Sequence, residues 1–263
     1  MILVNTDDFK RHLYVHDGYH CAKYGEFTLH SVFQPIFSSS QSIVGVEGLV
    51  RVYDGKNTLI RPDLLFNSGA VSFSDKVNIS LLSNDIHLRN FSQSELNSKK
   101  LFLNTLPTVF ELWVNDDENI CSLKKLLDHL DIKTQQIVCE LMELKGNDIE
   151  ALAKGAKKFH SLGFTLAMDD YGVDESNKNR SQIINPKIIK LDRSLLLEYM
   201  DGNTVNLLEA ISLAKDIGAK TIIEGIETER QLKYMQGINI DMFQGFYLAK
   251  PESLLPISIE KHS

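Results

Sequence analysis

A short apolar run that ends on a carboxylate, an amide or a lysine recurs along this chain. Val44-Gly-Val-Glu47, Leu101-Phe-Leu-Asn104, Ile137-Val-Cys-Glu140, Thr165-Leu-Ala-Met-Asp169-Asp170, Ile188-Ile-Lys190, Thr221-Ile-Ile-Glu224 and Met242-Phe-Gln244 all share the pattern. Short runs rich in β-branched residues between turn signals read as buried strands. Polar side chains at the same end of successive strands gather on one rim of a closed sheet, which is where a (β/α)8 barrel keeps its chemistry. So many acids cannot stay ionised together without a cation. The pattern therefore points to a metal-dependent barrel enzyme.

Taken one at a time these residues have ordinary readings. A glutamate at a strand end is commonly solvated or ion-paired, and Asn104 alone reads as a turn former. Asp169-Asp170 stands out because adjacent strand residues point to opposite faces. Both acids reach one site only where the strand has just ended, as a metal bridge or as a cap of the next helix. Lys190 behind two isoleucines requires a counter-charge. Hard oxygen donors without paired histidines favour Mg²⁺ or Mn²⁺ over zinc.

Positioning these groups needs one large α/β domain, and 263 residues suit a single barrel of about 250. From Leu101 onward strand and helix alternate, as in right-handed βαβ units. Ile149, Leu152, Ala153, Ala156, Phe159 and Leu162 recur at helical spacing, with Asn147 as N-cap and Gly163 as the stop. Leu207, Leu208, Ile211 and Ile217 repeat this before Gly218, and Thr228 with Gln231 fits a capping box. Phe33–Phe37 and Ile43–Glu47 flank a serine-rich segment and predict a hairpin. A hairpin is antiparallel, so the expected architecture is a modified (β/α)8 TIM-type barrel with one strand antiparallel to the rest. Residues 1–30, without clear periodicity, read as an N-terminal extension, and residues 31–263 as the barrel domain.

Composition narrows the class further. A net charge of −7 and a pI near 5.6 argue against coating DNA or RNA duplexes or a membrane surface. Three cysteines without CxxC spacing suit a reducing compartment. No run is long and apolar enough to span a bilayer, and no basic-then-apolar leader opens the chain, so a cytoplasmic location is expected.

The ordered motifs also resemble a known family. Gln34-Pro-Ile, Glu47-Gly48-Leu49-Val-Arg51, Leu103-Asn104, Glu140-Leu-Met-Glu143, Asp169-Asp170-Tyr171-Gly172, Lys190-Leu-Asp192, Glu224-Gly-Ile-Glu227 and Gln244-Gly-Phe-Tyr resemble the EAL domain family of cyclic di-GMP phosphodiesterases. The likeness runs from about residue 30 to Pro251. It implies hydrolysis of cyclic di-GMP to linear 5′-pGpG, hence less surface attachment and biofilm and more motility in a bacterium.

The resemblance also implies roles. Glu47, Asn104, Glu140 and Asp169 would hold one Mg²⁺ or Mn²⁺, and Asp169 with Asp170 a second, two ions per site. Lys190 and Glu224 would position or deprotonate the attacking water, with Gln244 in support. Gln34, Leu49 and Arg51 would meet the dinucleotide, Arg51 facing a phosphate. Glu143 would brace the loop after Asp170, and Glu227 would stand behind Glu224. In the family that loop also contributes to a homodimer.

Two departures mark this chain. The name-giving Glu-Ala-Leu is Glu47-Gly48-Leu49, a change expected to cost about 0.5–1 kcal/mol of backbone entropy and to leave the chemistry intact. After Gly172, Val173-Asp174-Glu175 stands where the family has a small residue, a second glycine and a small or serine-rich position, so Asp174 replaces the second glycine with another acid beside it. Two rival functions remain. One is a catalytically inactive relative that binds cyclic di-GMP or a protein partner; against it, every metal and base position is filled. The other is an enolase-like barrel with a lysine base, which needs a larger capping domain than residues 1–30 provide. Phe110, Leu112 and Trp113 read as core, His12, His16 and His20 as surface residues, and Asn115–Asn119 as a solvated acidic loop.

Overall fold

The computed structural model describes residues 2–3, 6–141, 149–172, 181 and 184–254. Glu143, Asn147 and the Val173-Asp174-Glu175 loop lie outside these residues. The described strands are β1 Leu13–His16, β2 Tyr19–Tyr24, β3 Phe27–Ser38, β4 Ile43–Tyr53, β5 Leu59–Ile60, β6 Lys100–Thr105, β7 Ile137–Leu141, β8 Thr165–Tyr171, β9 Ile188–Leu191, β10 Lys220–Ile223 and β11 Met242–Phe243. Eight close into a barrel in the order β3-β11-β10-β9-β8-β7-β6-β4, with β4 returning to β3. Within that ring β3 alone is reversed, antiparallel to both β11 and β4. The 33–47 hairpin is thus the β3–β4 pair, and it gives the barrel its one reversed strand.

β1 and β2 extend β3 outward as an antiparallel ribbon, and position 30/31 falls inside β3. The ribbon lies against the helix Phe73–Ser92. Asn90 of that helix clamps it, accepting from His20 N and donating to His20 O, both at 2.8 Å. His12 precedes β1, His16 ends it and His20 lies in β2, so their spacing does not fall on one helix face.

The outer helices follow from their end signals. Ser72 caps Phe73–Ser92 by accepting from Asp75 N. Ile149–Ser161 stops before Gly163, whose φ of 91° suits glycine. Thr228 and Gln231 form the reciprocal capping box of Glu229–Gln236. The acidic stretch 115–119 is not a loop. Asn115 ends the helix Pro107–Asn115, Asp116 caps Asp117–His129, and Asp117 and Glu118 fill its first turn. Carboxylates there oppose the positive end of the helix dipole, which the loop expectation overlooked. Phe110 is fully buried, stacked edge-on against Phe159. Among the described residues no helix is long and apolar enough to cross a membrane.

Candidate functional site

The barrel interior is built in two layers with the period of two that strands impose. Ile36, Phe102, Val138, Ala167, Ile188, Ile222 and Met242 form one buried cluster. Gly45 is the β4 position of the same layer. A Cβ there would lie 2.7 Å from Phe102 Cε2, so the missing side chain makes room for the ring. Two residues further toward the rim stand Asn104, Glu140, Asp169, Lys190, Glu224, Gln244 and, after Gly45, Glu47. On reversed β3 the count runs backward, from Ile36 to Gln34. Every barrel strand thus contributes one polar side chain to a single layer.

Lys190 occupies the middle of that layer and is 1% exposed. Its Nζ lies 2.8 Å from Glu140 Oε1, 2.8 Å from Glu224 Oε1, 2.9 Å from Asp169 Oδ1 and 3.6 Å from Glu47 Oε2. An ammonium has three N–H groups, so it cannot aim at four carboxylates together. Amides hold Glu47 from the other side. Asn104 Nδ2 donates to Glu47 Oε1 at 3.0 Å and Gln244 Nε2 to Glu47 Oε2 at 2.7 Å. Gln244 Nε2 also reaches Gln34 Oε1, while Gln34 Nε2 donates to Ala249 O. Buried Glu140 Oε1 and Oε2, Asp169 Oδ1 and Gln244 Oε1 have no hydrogen bond of good geometry. Two of them stand at ion-pair distance from Lys190 without an aligned N–H. Acceptor oxygens left over in a buried acidic layer are what divalent cations bind.

Asp169 and Asp170 come together by a route the sequence did not indicate. β8 continues to Tyr171, so the strand does not end at the acid pair. Instead the β8–β9 register breaks between Met168 and Tyr171, and Asp170 adopts a positive φ of 52°. This bulge cancels the alternation. One carboxylate oxygen each from Asp169, Asp170 and Glu224 then lies within 4.8 Å of the others.

The electrostatics follow from burial against charge. Burial opposes the charged form of Lys190, but Asp169, Glu140, Glu224 and Glu47 outweigh it and hold the ammonium protonated well beyond its usual range. Burial, then Glu47, pushes Glu140 well up. Burial also lifts Glu224 to about 8, against the pull of Lys190, and Asp170 to about 6, with help from Asp169. Glu47 is lowered. Burial resists its ionisation, but Lys190, Asn104 and Gln244 prevail. One lysine is too little positive charge for this many acids.

Leu49 and Arg51 follow Glu47 on the same face of β4 and are half-buried, and Arg51 Nη1 donates to Val50 O. Glu227 stands outside the cluster, its Oε2 2.6 Å from Arg193 Nη2. Sequence reasoning missed His87. It is buried on the outer side of β4, with Nδ1 2.8 Å from Ser31 Oγ. No spacing in the chain connects position 87 to position 48.

The EAL domain family model matches residues 25–251. YkuI of Bacillus subtilis, described as an uncharacterized EAL-domain containing protein, is 27% identical over 83% of this chain and 54% of its own length. PdeB of Escherichia coli, described as a probable cyclic di-GMP phosphodiesterase, is 28% identical over 49% of this chain and 24% of its own. The chain thus spans about half or less of these relatives. The crystal structure of YkuI with substrate c-di-GMP and calcium superposes with a TM-score of 0.74 at 26% identity, over 86% of this chain and 56% of that one. A standalone EAL protein from Vibrio cholerae, bound to c-di-GMP, shares the fold with a TM-score of 0.74 at 22% identity, over 87% of this chain and 94% of that one.

Proposed function

This chain belongs to the EAL domain family, and on that premise we propose that it hydrolyses cyclic di-GMP to linear 5′-pGpG with two divalent metal ions, Mg²⁺ or Mn²⁺. The observation that carries the reading is the Lys190 layer, with four carboxylates around one ammonium and with Glu140 Oε2 and Gln244 Oε1 buried without a partner. Glu47, Asn104, Glu140 and Asp169 would hold one ion, and Asp169 with Asp170 the other. Such ions supply an activated water at neutral pH and neutralise charge on the phosphoryl oxygens.

The chain's own groups do the rest. Lys190 would hydrogen-bond the attacking water and stabilise its deprotonated form once its carboxylate partners are drawn toward bound metal ions. Glu224, raised toward neutral pH by burial, suits a group that exchanges a proton at that water. Gln244 and Asn104 fix the rotamer of Glu47 from opposite sides. Arg51, past Glu47 on the same strand face, offers a guanidinium to a phosphate, a contact that lysine reproduces poorly. Gln34 and Leu49 complete the substrate side of the rim.

The test is incubation of the pure protein with cyclic di-GMP and Mn²⁺ or Mg²⁺, with chromatographic detection of 5′-pGpG. Turnover that survives EDTA would refute the metal mechanism. Binding of cyclic di-GMP without any linear product would install the binding-module reading instead.

A further inference from the structure

Gly48 stands where the family motif carries alanine, and the structure gives that glycine a steric cause. A Cβ built on Gly48 would lie 2.9 Å from His87 Cγ, 3.0 Å from Cδ2 and 3.2 Å from Cβ. Carbon atoms pack at about 3.5–4.0 Å, so alanine and His87 cannot both keep their places. The contact is with the base of the His87 side chain, not a flexible tip. His87 sits on the helix Phe73–Ser92, which is buried along most of its length, so it has no room to retreat. The change therefore removes a methyl group and lets an imidazole fill its space, rather than simply loosening the strand.

His87 also ties together the two strands of the reversed pair. Its Nδ1 lies 2.8 Å from Ser31 Oγ on β3, and its ring stands edge-on to Phe33, also on β3, with centroids 5.7 Å apart. Phe33 pairs with Gly48 across the ladder, and the next pair toward the serine-rich turn is Gln34 with Glu47. A one-residue slip in a ladder turns every side chain to the other face. β3 and β4 carry Gln34, Glu47 and Arg51, so their register decides where these groups stand.

We propose that His87 is a positioning residue for the rim, seated in the space left by Gly48 and setting, through β3 and β4, where Glu47 and Arg51 stand. The inference rests on the metal-binding reading of the rim. Restoring alanine at 48 should push β4 and the helix apart by about 0.6 Å. Metal ligands hold their distances to within about 0.2 Å, so Glu47 should lose its place.

A double-mutant cycle tests this, with thermal unfolding in EDTA and Mn²⁺ binding followed by electron paramagnetic resonance well below the unfolding temperature. Gly48→Ala should lower Tm by roughly 3–10 °C and weaken Mn²⁺ binding about 10–100-fold, as supporting contacts of metal ligands do. His87→Ala alone should also weaken Mn²⁺ binding, because it empties the space beside Gly48. Added to Gly48→Ala it should instead recover most of the lost affinity, because it removes Cγ and Cδ2 and leaves only the 3.2 Å approach of Cβ. If Gly48→Ala does not fold, the double variant must. Unchanged Mn²⁺ affinity in folded Gly48→Ala, or additive effects in the cycle, would overturn the proposal. A parent protein that binds no Mn²⁺ would instead overturn the metal reading, and the Tm cycle would still decide whether His87 and Gly48 are coupled.

Discussion

Replacing Lys190 with methionine gives the sharpest test of the acidic layer, because it keeps the volume and removes only the charge. Lys190 is the one cation within 4 Å of Glu47, Glu140, Asp169 and Glu224 among the described residues. Glu140 and Glu224 already favour their protonated forms in this setting. Without Lys190 about one further carboxyl must also take up a proton to fold. Holding a glutamate protonated at pH 7 against an unfolded value near 4.5 costs about 1.4 kcal/mol per pH unit, or roughly 3.4 kcal/mol. That agrees with the range of about 3–5 kcal/mol for orphaning one side of a buried ion pair.

Urea unfolding at pH 7 in EDTA should therefore find Lys190→Met about 3 kcal/mol less stable than the parent. The extra carboxyl has its folded pKa raised above the unfolded one, so its effect grows as pH rises and fades as pH falls toward 4.5. At pH 5 the gap should shrink below about 1 kcal/mol. Mn²⁺ should also narrow it, because the variant's site has one positive charge fewer and binds the cation more tightly, each tenfold gain in affinity over the parent being worth about 1.4 kcal/mol. Hydrolysis should stay lost throughout. A gap that ignores both pH and Mn²⁺ would mean that Lys190 matters as packing, not charge, and the electrostatic account would fail.

Asp169→Asn should abolish hydrolysis yet leave Tm in EDTA unchanged or higher, because it relieves acid–acid repulsion. Glu47→Gln should abolish it too but lower Tm, because Glu47 is the carboxylate that Lys190, Asn104 and Gln244 hold ionised. A large Tm loss in Asp169→Asn would refute the repulsion account. His87 should make the protein acid-sensitive. Burial first, then Arg51, drives it down to about 3, with Glu47 opposing. Unfolded His87 gains its proton near 6.5 and folded His87 only near 3, so between these values stability falls with pH, by up to about 1.4 kcal/mol per unit. His87→Gln should flatten that slope between pH 6 and 4, and identical slopes by urea unfolding would refute the assignment. Asn90→Ala should strand the backbone of His20, cost about 1–3 kcal/mol and raise amide exchange first in β1 and β2; exchange rising uniformly across the barrel would show that the ribbon is no separate unit.

The sequence carries the polar layer because alternation along a strand is local information. Ile188 to Lys190 and Val138 to Glu140 are each two residues apart, and a period of two fixes which pairs share a face. The reversed strand was legible for the same reason, since the serine-rich turn sits between its two partners. What crosses the barrel was not legible. Gln244 meets Glu47 across 197 residues of chain and Gln34 across 210, and nothing in either segment names its partner. Breaks in periodicity were hidden too. Asp169-Asp170 resembles a strand end, but β8 runs on and a bulge does the turning.

Gly48 shows a third kind of blindness. Its cost was read from backbone entropy alone, as though glycine were a weakened alanine. In the folded chain the missing methyl is occupied by His87 from a helix some forty residues away. A substitution that looks neutral within its own strand can be obligatory once the outer layer is in place. The same logic explains why one motif residue can vary without loss of the rim. Glu47 faces inward to Lys190 and its amides, whereas position 48 faces outward, where only the packing helix constrains it. Inward positions answer to charge and ligand geometry, outward positions to volume, and the two faces of one strand can drift independently until a change of volume moves the strand itself.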